Sequence, residues 1–265
     1  MSIAVIGLGP MGGGVGLHLH DLGREVIGVE LDPARADEWS AQGPKSYTTP
    51  SEVPWEEVDT VIVAARLIDQ VRDSLAPLIA TQGQRPLRVV IITTLAVSDA
   101  REYLPTLPRA WRVFEFPVSG GPEGARDGSL SAMLAGPVPD DDERDILDAI
   151  AVRIFETSAY GEPAALKLLN NTLGAYVAMA TGQLSELAGR FGISAQKFLE
   201  VARASSGQSW MADHFEVFHH PLLIKDVHLL RHDLPRLPVI DLNDPDQLDG
   251  VVLRVRADLS TGGTK

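Results

Sequence analysis

The first thirty residues contain a glycine fingerprint between two strand-like segments. An apolar run, Ile3–Ile6, leads into Gly-Leu-Gly-Pro-Met-Gly at residues 7–12, and a helical stretch and a second apolar run, Val26–Val29, follow. The first glycine of such a motif permits a tight turn, the second lets the backbone approach a pyrophosphate, and the third lets the helix pack closely on the sheet. The arrangement predicts a βαβ unit that binds a dinucleotide.

The fingerprint positions have a chemical reason to face the phosphates of a dinucleotide. Pro10 suits the first turn of a helix because it has no N–H, and the free N–H groups that follow it point at the phosphates. A glycine fingerprint alone is weak, but here the strand, the helix and a following acid occur in order. The predicted cofactor-binding residues of this segment are Gly7, Leu8, Gly9, Pro10, Met11 and Gly12.

An acidic residue after the second strand-like run bears on the choice of cofactor. Glu30 follows Gly12 by about the twenty residues expected for a carboxylate that accepts from the ribose hydroxyls. A carboxylate there repels the 2′-phosphate of NADP, and Asp32 strengthens that repulsion, whereas Arg35 could counter it. We therefore expect Glu30 to contact NAD, with NADP as the less favoured cofactor.

Strand-like and helical segments alternate up to about residue 156. Continuous apolar strands separated by helices indicate a parallel sheet that is covered on both faces. Three further runs, Arg112–Phe114, Leu130–Leu134 and Arg153–Phe155, are candidates to extend that sheet. The predicted fold class is α/β, with an N-terminal Rossmann-type, doubly wound and mostly parallel sheet followed by a smaller all-α domain.

After this alternating part the pattern becomes helical. Apolar residues recur at helical spacing from Pro163 to Phe191, a length typical of a helix that links domains or forms an oligomer core. We expect a dinucleotide-binding domain over 1–160 and a helical substrate and oligomerisation domain over 161–265, with a short, divergent tail after about residue 233. The long helix favours a homodimer or a higher homo-oligomer. Shorter helices are predicted over Ser194–Ala204, Ser209–Phe218, Leu222–His232 and Gln247–Val255.

Charge and composition exclude several classes of partner and site. The 265 residues carry a formal net charge of −13, which argues against nucleic acid or an anionic membrane surface as a partner. No apolar run approaches the roughly twenty residues that span a bilayer. The sequence starts directly with a strand, so we expect a cytoplasmic protein. Cysteine is absent, which excludes thiolate catalysis. His228 and His232 have the spacing of a metal-binding pair without a recognisable third ligand, and no metal is expected.

Two segments outside the fingerprint could carry chemistry. Ser119, Gly120 and Gly121 would expose consecutive N–H groups and a hydroxyl, a concavity suited to a carboxylate, although an ordinary turn has the same composition. Lys167 and Asn171 lie one turn apart on a mostly apolar helix face. Burial of a lysine lowers its pKa toward a value useful for proton transfer, unless the stem carries the amine out to water.

Taken in order, these segments resemble the β-hydroxyacid dehydrogenase family, which includes 3-hydroxyisobutyrate dehydrogenase and tartronate semialdehyde reductase. The resemblance runs from Ile3 to about Asp226. Each motif is modest alone, but five motifs in the family order are specific. They are the fingerprint at 7–12, Pro-Val-Ser-Gly-Gly at 117–121 with Gly124, Ala125 and Gly128 after it, Lys-Leu-Leu-Asn-Asn at 167–171, Ser205-Ser206-Gly207 with Trp210, and Lys225-Asp226.

The resemblance implies roles for the residues that would handle the substrate, a small carboxylic acid. Lys167 would be the general acid/base at the substrate hydroxyl, with Asn171 forming hydrogen bonds beside it. The loop of Ser119, Gly120 and Gly121 would hold the substrate carboxylate. The segment from Ser205 to Trp210 would line the substrate pocket, with Trp210 as a contact of the substrate.

The resemblance also implies cofactor contacts beyond the fingerprint. Thr94, at the end of a strand-like run, would contact the cofactor, and Lys225 would lie against the nicotinamide region, with Asp226 helping to fix its helix. The implied activity is hydride transfer between NAD(P) and a small β-hydroxyacid similar to 3-hydroxyisobutyrate. The proton would move through the lysine while the hydride moves to or from the cofactor.

The chain departs from the family pattern at several positions. Ala64-Ala65-Arg66 stands where the family has a short apolar turn with proline, so Arg66 could lie near the adenosine or the substrate. Phe116 replaces a small residue, and the tail beyond Lys225 is short and poorly matched. Two other functions therefore stay open. One is an imine reductase on the same scaffold, which Lys167 disfavours because related imine reductases generally replace that lysine. The other is a dinucleotide-binding protein without catalysis.

Overall fold

The computed structural model describes residues 2–241, 243 and 245–260. The strands are β1 (Ser2–Ile6), β2 (Glu25–Val29), β3 (Lys45–Tyr47), β4 (Thr60–Val63), β5 (Leu87–Ile91), β6 (Trp111–Glu115), β7 (Val118–Ser119), β8 (Leu130–Leu134) and β9 (Ala151–Glu156). The α-helices are α1 (Pro10–Asp21), α2 (Pro33–Ser40), α3 (Ile68–Gln82), α4 (Val97–Tyr103), α5 (Gly121–Asp127), α6 (Asp141–Ile150), α7 (Glu162–Ala188), α8 (Ala195–Arg203), α9 (Trp210–Asp213), α10 (His220–Asp233) and α11 (Pro245–Ser260). Short 3-10 helices lie at Pro50–Glu52, Trp55–Glu57, Leu104–Thr106 and Gly189–Phe191.

The main sheet is parallel and doubly wound. Its six strands have the order β3-β2-β1-β4-β5-β6, and each neighbouring pair is parallel. From the central strand β1, the chain adds β2 and β3 on one side of the sheet. It then returns to the other side of β1 and adds β4, β5 and β6 there. This is the Rossmann strand order, so the predicted fold class is confirmed. Ligands of such sheets bind beyond the carboxyl ends of the strands, where the strand order reverses between β1 and β4.

Both faces of this sheet are buried, which explains the continuous apolar strands. Along β1, Ile3 and Val5 belong to one core cluster, while Ala4 and Ile6 belong to another on the opposite face. Helices α1 and α6 contribute to the first cluster, and α3 and α4 contribute to the second. A strand with apolar contacts on both faces cannot show the alternating pattern of a half-exposed strand.

Two of the three runs expected to extend the parallel sheet do not join it. β6 is its edge strand, whereas β8 and β9 form a separate three-stranded sheet in the order β7-β8-β9. β8 pairs antiparallel with β7 and parallel with β9. The chain leaves β6 at Pro117 and then supplies β7 as the partner of β8. The apolar runs predicted the positions of the three strands correctly. Which sheet β8 and β9 join depends on the change of chain direction after β6, and the apolar pattern holds no information about that change.

The helical part begins with α7, which has 27 residues. Pro163 lies in its first turn, where a missing N–H costs nothing. α8 and α10 match their predicted ranges within two residues at each end, and α11 is longer than its prediction. The predicted helix Ser209–Phe218 is wrong beyond its first turn, since α9 ends at Asp213. Phe215 and Phe218 instead pack edge to face, with ring centroids 5.7 Å apart, in an irregular segment.

The chain forms two compact units, one that ends at Asp233 and one that starts at Leu234. The first unit contains both sheets and helices α1 to α10, and the second contains α11. The predicted functional boundary between 1–160 and 161–265 stays a prediction, and residues 261–265 lie outside the described part. Across the described residues, no helix combines the length and apolar character needed to cross a membrane.

Candidate active site

The predicted cofactor residues converge at one edge of the main sheet. Because its six strands are parallel, their carboxyl ends lie at the same edge. The fingerprint at 7–12 follows β1, Glu30 follows β2 and Thr94 comes shortly after β5. The segment 119–121 follows β6, starts at the last residue of the short β7 and ends at the first residue of α5. The sheet thus collects segments that are up to about a hundred residues apart in sequence around the switch point between β1 and β4.

Gly7 and Gly12 have neighbours that exclude a larger side chain. Gly7 has a φ of +89°, a conformation that favours glycine, and its N–H donates to the carbonyl oxygen of Val29 at 2.9 Å. A Cβ atom on Gly12 would lie 2.1 Å from the carbonyl oxygen of Gly7 and 2.4 Å from the Cβ of Ala64. These two glycines therefore let α1 start directly against the ends of β1 and β4.

Gly9 faces open space. A Cβ atom there would meet no heavy atom within 4 Å among the described residues. Gly9 is also the N-cap residue of α1, and within the described part of the chain no side chain caps that helix. Its first N–H groups are therefore available to a ligand. The space, the free donors and the positive end of the helix dipole fit the pyrophosphate of a dinucleotide, so the fingerprint and Glu30 would hold a nicotinamide cofactor here.

The carboxylate of Glu30 is fixed by three donors. The backbone N–H groups of Leu8 and Asp32 donate to it at 3.0 and 3.1 Å, and Nη1 of Arg35 donates to it at 3.1 Å. The bond from Leu8 joins the fingerprint to the end of β2. Nη2 of Arg35 also lies 3.6 Å from Oδ2 of Asp32, so two carboxylates already share the charge of this arginine.

Two further loops at this edge have defined conformations. Gly120 and Gly121 have φ values of +139° and +73°, and α5 starts at Gly121 without a side-chain cap in the described part of the chain. Ser119 is half-buried beside them. The first N–H groups of α5 are thus available to a carboxylate. On the neighbouring loop, Thr94 is half-buried, and Thr93 fixes the end of β5 by donating to the last carbonyl of β4 at 3.3 Å.

Glu115, which the sequence motifs did not single out, ties the long helix α7 to the sheet edge. It ends β6, is 1% exposed, and accepts from the N–H groups of Gly161 at 2.6 Å and Ala164 at 2.9 Å. Burial raises the pKa of Glu115 to about 7, while the two N–H bonds and the charge of Arg101 oppose the rise. The carboxyl group therefore caps α7 from another element, a contact that spans more than forty residues of sequence.

Lys167 lies one helical turn beyond this anchor. Its side chain is buried, with an exposed fraction of 7% for the residue. Burial lowers the pKa of Lys167 to about 8; the charge of Asp226 opposes this shift and that of Lys225 adds to it. An amine with such a pKa can exchange between ammonium and neutral forms near neutral pH. That property is what proton transfer in both directions requires.

A buried carboxylate links α7 to α10 beside the lysine. Asp226 is 4% exposed, and its Oδ2 accepts from Nδ2 of Asn171 at 2.5 Å. Its Oδ1 lies 3.0 Å from Nζ of Lys225. Asn171 is one turn beyond Lys167 on the same helix face. The structure therefore brings Lys167, Asn171, Lys225 and Asp226 into one charged cluster in an otherwise buried environment.

Trp210, the predicted substrate contact, lies on the short helix α9. The residue is 58% exposed and stacks on His214, with ring centroids 4.2 Å apart. Its neighbour Met211 contacts α7, since a Cβ atom on Gly174 would lie 2.6 Å from Cε of Met211. Gly174 is two turns beyond Lys167 on the same face. Met211 is not among the predicted site residues but follows the polar segment 205–209 directly, and that position is a usable signal for a side chain that packs on this face.

A cleft of about 460 Å³ opens beside this cluster. Its walls are the loop after β4, the start of α4 and one face of α10. The ionisable side chains that line it belong to Arg66, Asp99, Lys225, His228 and His232. Arg66, the residue that departs from the family pattern, thus shares a cleft with Lys225. Within the described residues, no group of three or more His, Asp or Glu side chains is placed to hold a metal ion.

Relatives similar to this chain in sequence include hydroxyacid dehydrogenases. Residues 2–158 match the family described as the NAD binding domain of 6-phosphogluconate dehydrogenase. A probable 3-hydroxyisobutyrate dehydrogenase of Mycobacterium tuberculosis is 30% identical over 218 residues, which cover 79% of this chain and 71% of that protein. An L-threonate dehydrogenase of Haemophilus influenzae is 24% identical over 249 residues, which cover 91% of this chain and 78% of that protein.

Solved structures share the fold. The 3-hydroxyisobutyrate dehydrogenase from Salmonella typhimurium has a TM-score of 0.76 at 23% identity and covers 90% of this chain and 89% of its own. An imine reductase from Streptomyces aurantiacus has a TM-score of 0.66 at 24% identity, with coverages of 83% and 80%. At these identities the likeness concerns the fold alone. The family match extends over more than half of the chain and its relatives are hydroxyacid dehydrogenases, so the chain belongs to the β-hydroxyacid dehydrogenase family of NAD(P)-dependent oxidoreductases, and residues 2–158 are its NAD-binding domain.

Proposed function

We propose that this chain transfers a hydride between NAD and a small β-hydroxyacid, with Lys167 as the general acid/base. The observation that carries the proposal is the buried amine of Lys167, with a pKa of about 8, one turn from the Glu115 anchor at the sheet edge that bears the fingerprint. Two relatives are named for 3-hydroxyisobutyrate and L-threonate. A substrate similar to 3-hydroxyisobutyrate is therefore the starting point for assays.

In the oxidation direction, neutral Lys167 accepts the hydroxyl proton at Nζ while the carbon–oxygen bond becomes a double bond. A nicotinamide cofactor held by the fingerprint would supply the hydride acceptor for the same carbon. In the reduction direction the ammonium form donates the proton to the developing alkoxide. Because the pKa of Lys167 is about 8, about a tenth of the molecules hold the neutral amine at pH 7.

The remaining site residues orient the substrate. The N–H groups and the hydroxyl at Ser119–Gly121 would hold its carboxylate, which fixes the carbon that carries the hydroxyl. Asn171, oriented by its hydrogen bond to Asp226, would bind the hydroxyl oxygen beside Lys167. The ring of Trp210, which is exposed, stays a predicted substrate contact.

The cofactor contacts favour NAD over NADP. Glu30 presents its carboxylate at the end of β2 and would accept from the ribose hydroxyls. Arg35 could otherwise receive a 2′-phosphate, but it pairs with Glu30 and lies close to Asp32. Thr94 would contact the cofactor, and Lys225 would lie against its nicotinamide half. A competition titration in which NADPH binds more tightly than NADH would contradict this preference.

The test of the proposal removes the amine and keeps the stem. In Lys167→Met, we expect NADH to bind as in the native protein, while NADH formation from 3-hydroxyisobutyrate falls by about 100- to 10,000-fold. The matched control is Lys197→Met, which removes an exposed amine paired with Glu200 on α8. Full turnover in the Lys167 variant would remove this residue from the mechanism.

Because the fold resembles that of an imine reductase, imine reduction is the second candidate activity. The presence of Lys167 argues against it, so cyclic imines should not be reduced while hydroxyacids are oxidised. Reduction of cyclic imines without turnover of any hydroxyacid would replace the proposal with that activity. Tight NADH binding without turnover of either class would make the chain a dinucleotide-binding protein without catalysis.

We also propose that the protein is a homodimer. Leu166, Leu169 and Leu173 of α7 are 46%, 51% and 62% exposed and follow one another at helical spacing. Such an apolar stripe is typical of a helix face that is covered in an assembly. Sedimentation analysis should give twice the mass of the chain, and Leu169→Asp should shift it toward a monomer. A native protein that sediments as a monomer at micromolar concentration would contradict the proposal.

A further inference from the structure

The helix α4 starts at a cap residue that has no polar side chain. Ala96 occupies the N-cap position with φ −66° and ψ 153°, and its methyl group cannot accept a hydrogen bond. The carboxylate of Asp233 supplies the missing acceptors, since its Oδ2 accepts from the N–H of Val97 at 2.8 Å and its Oδ1 accepts from the N–H of Ser98 at 3.2 Å. The cap of α4 therefore comes from the last residue of α10, 136 and 135 residues away in sequence.

The position of Asp233 is favourable for α4 and unfavourable for α10. A negative charge at the C-terminus of a helix opposes the helix dipole, whereas the same charge at an N-terminus is stabilising. Arg231 and His232 give α10 the basic last turn that its dipole favours, yet the final residue is an aspartate. Asp233 is also half-buried, while Arg231 and His232 are exposed. The side chain of Asp233 therefore serves the contact between the two helices.

The start of α4 is close to a predicted cofactor contact. Only two residues separate Thr94 from Val97, and both are buried, with exposed fractions of 2% and 1%. A buried connection this short couples the position of Thr94 to the position of α4. The start of α7 meets α4 at the same point, since a Cβ atom on Gly161 would lie 3.0 Å from the carbonyl oxygen of Val97.

The inward face of α10 is attached to α7 as well. Asp226, Leu230 and Asp233 are four and three residues apart, so they lie along one face of α10. Asp226 and Leu230 are buried, and Asp226 accepts from Nδ2 of Asn171 on α7. With a rise of about 1.5 Å per residue, the two aspartates are about 10 Å apart along the helix axis. Carboxylates therefore hold α10 at two points, to α7 through Asp226 and to α4 through Asp233.

We infer that Asp233 is a positioning residue for the reaction. Its cap on α4 fixes the end of α10, and so it holds Lys225, two turns earlier on α10, in place relative to the loop that contains Thr94. The inference rests on the proposed function, which makes Thr94 and Lys225 contacts of the cofactor. Asp233 acts through α10 and is assigned no contact with the cofactor or the substrate.

The first test measures cofactor binding without turnover. Asp233→Ala removes both cap bonds, and we expect the Kd for NADH to rise about threefold to tenfold, because the measured Kd increases as the fraction of molecules with α10 in place falls. In Asp233→Asn the amide oxygen still accepts an N–H bond from α4, so the Kd should stay within about twofold of the native value. A native Kd in Asp233→Ala, or an equal rise in both variants, would overturn the inference.

Two comparisons separate positioning from a general loss of stability. Asp140→Ala removes the local cap of α6, a bond from the N–H of Glu143, near the amino end of β5, where Nη2 of Arg88 lies 3.8 Å from Asp140. This control should lower the melting temperature but change the Kd for NADH by less than about twofold. The double variant Ala96→Ser/Asp233→Ala gives α4 a cap of its own and leaves α10 untied, so the melting temperature should recover while the Kd stays raised. Recovery of both would overturn the inference, because Asp233 would then only stabilise α4.

A distance measurement tests the attachment itself. The chain contains no cysteine, so Glu102→Cys on α4 and Arg231→Cys on α10, both at exposed positions, carry spin labels specifically. Double electron–electron resonance should give one narrow distance distribution, and the further change Asp233→Ala should broaden it. An unchanged distribution would overturn the inference, and so would a native protein that binds no NADH. If NADH binds but no hydroxyacid is oxidised, the proposed function fails, whereas the NADH titration and the distance distribution still decide the role of Asp233.

Discussion

Replacing Gly9 with alanine should separate cofactor binding from folding. Gly9 has φ −64° and ψ −179°, which any residue adopts, and a Cβ atom there meets no described heavy atom within 4 Å. Alanine is a poorer N-cap residue, at a cost of about 0.5–1 kcal/mol. It also restricts the unfolded chain, which stabilises the fold by about 0.4–1 kcal/mol. These effects nearly cancel, so the melting temperature should change by less than about 4 °C.

Cofactor affinity should respond very differently to the same change. The added methyl group would occupy space directly in front of the uncapped start of α1, where the pyrophosphate must approach the N–H groups. Losing one hydrogen bond to a charged group costs about 1.5–3 kcal/mol. We therefore expect the Kd for NADH in Gly9→Ala to rise at least about tenfold. A fluorescence titration with NADH measures this directly.

Gly12→Ala is the matched comparison, since its Cβ would lie 2.1 Å from a backbone oxygen and 2.4 Å from Ala64. Neither neighbour is a flexible side-chain end, so the helix must shift, at a cost of about 3 kcal/mol or more. The melting temperature of the cofactor-free protein should fall by at least about 6 °C. Native NADH affinity in Gly9→Ala would refute the proposed phosphate site. A native melting temperature in Gly12→Ala would refute the packing argument.

Three further predictions concern the buried ionisable groups. Because the pKa of Glu115 is about 7 in the folded protein and 4.5 ordinarily, the folded state holds more protons between these values. The unfolding free energy should therefore fall by up to about 3 kcal/mol as pH rises from 4.5 to 7, and this slope should be absent in Glu115→Gln. For oxidation, kcat/KM should rise about tenfold per pH unit below the pKa of Lys167, about 8, and level off above it; a flat profile would contradict the proton-transfer role. Because the charge of Asp226 raises the pKa of Lys167, Asp226→Asn should move this inflection to lower pH, and an unmoved inflection would show that the two groups do not interact.

The fingerprint was predictable from sequence because each of its residues acts locally. Gly7 needs its positive φ for a turn that lies within the motif itself. Gly12 meets an atom of Gly7, five residues away, so this approach also lies within the motif. The Rossmann strand order follows from the alternation of apolar strands and helices, since parallel strands need crossover connections.

The rest of the site depends on contacts between distant segments. The bonds from Gly161 and Ala164 to Glu115 join residues 46 and 49 positions apart, and no periodic pattern encodes them. The separate sheet of β7, β8 and β9 also depends on where the chain turns after β6. The exposed position of Trp210 was not foreseeable, because a residue on a one-turn helix such as α9 has no periodicity that reveals its buried face.

The Glu115 anchor also decides how the connection before α7 can vary. The carboxyl group of Glu115, at the end of β6, accepts two N–H bonds from the start of α7 and so holds that start against the sheet. The position of Lys167 relative to the sheet therefore depends on Glu115 and not on the length of the linker before α7. An inserted residue between β9 and Ser158 would then bulge outward while the amine kept its register. In evolutionary terms, that linker can lengthen or shorten without relocating Lys167, whereas a side chain at position 115 that cannot accept the two N–H bonds would release the start of α7.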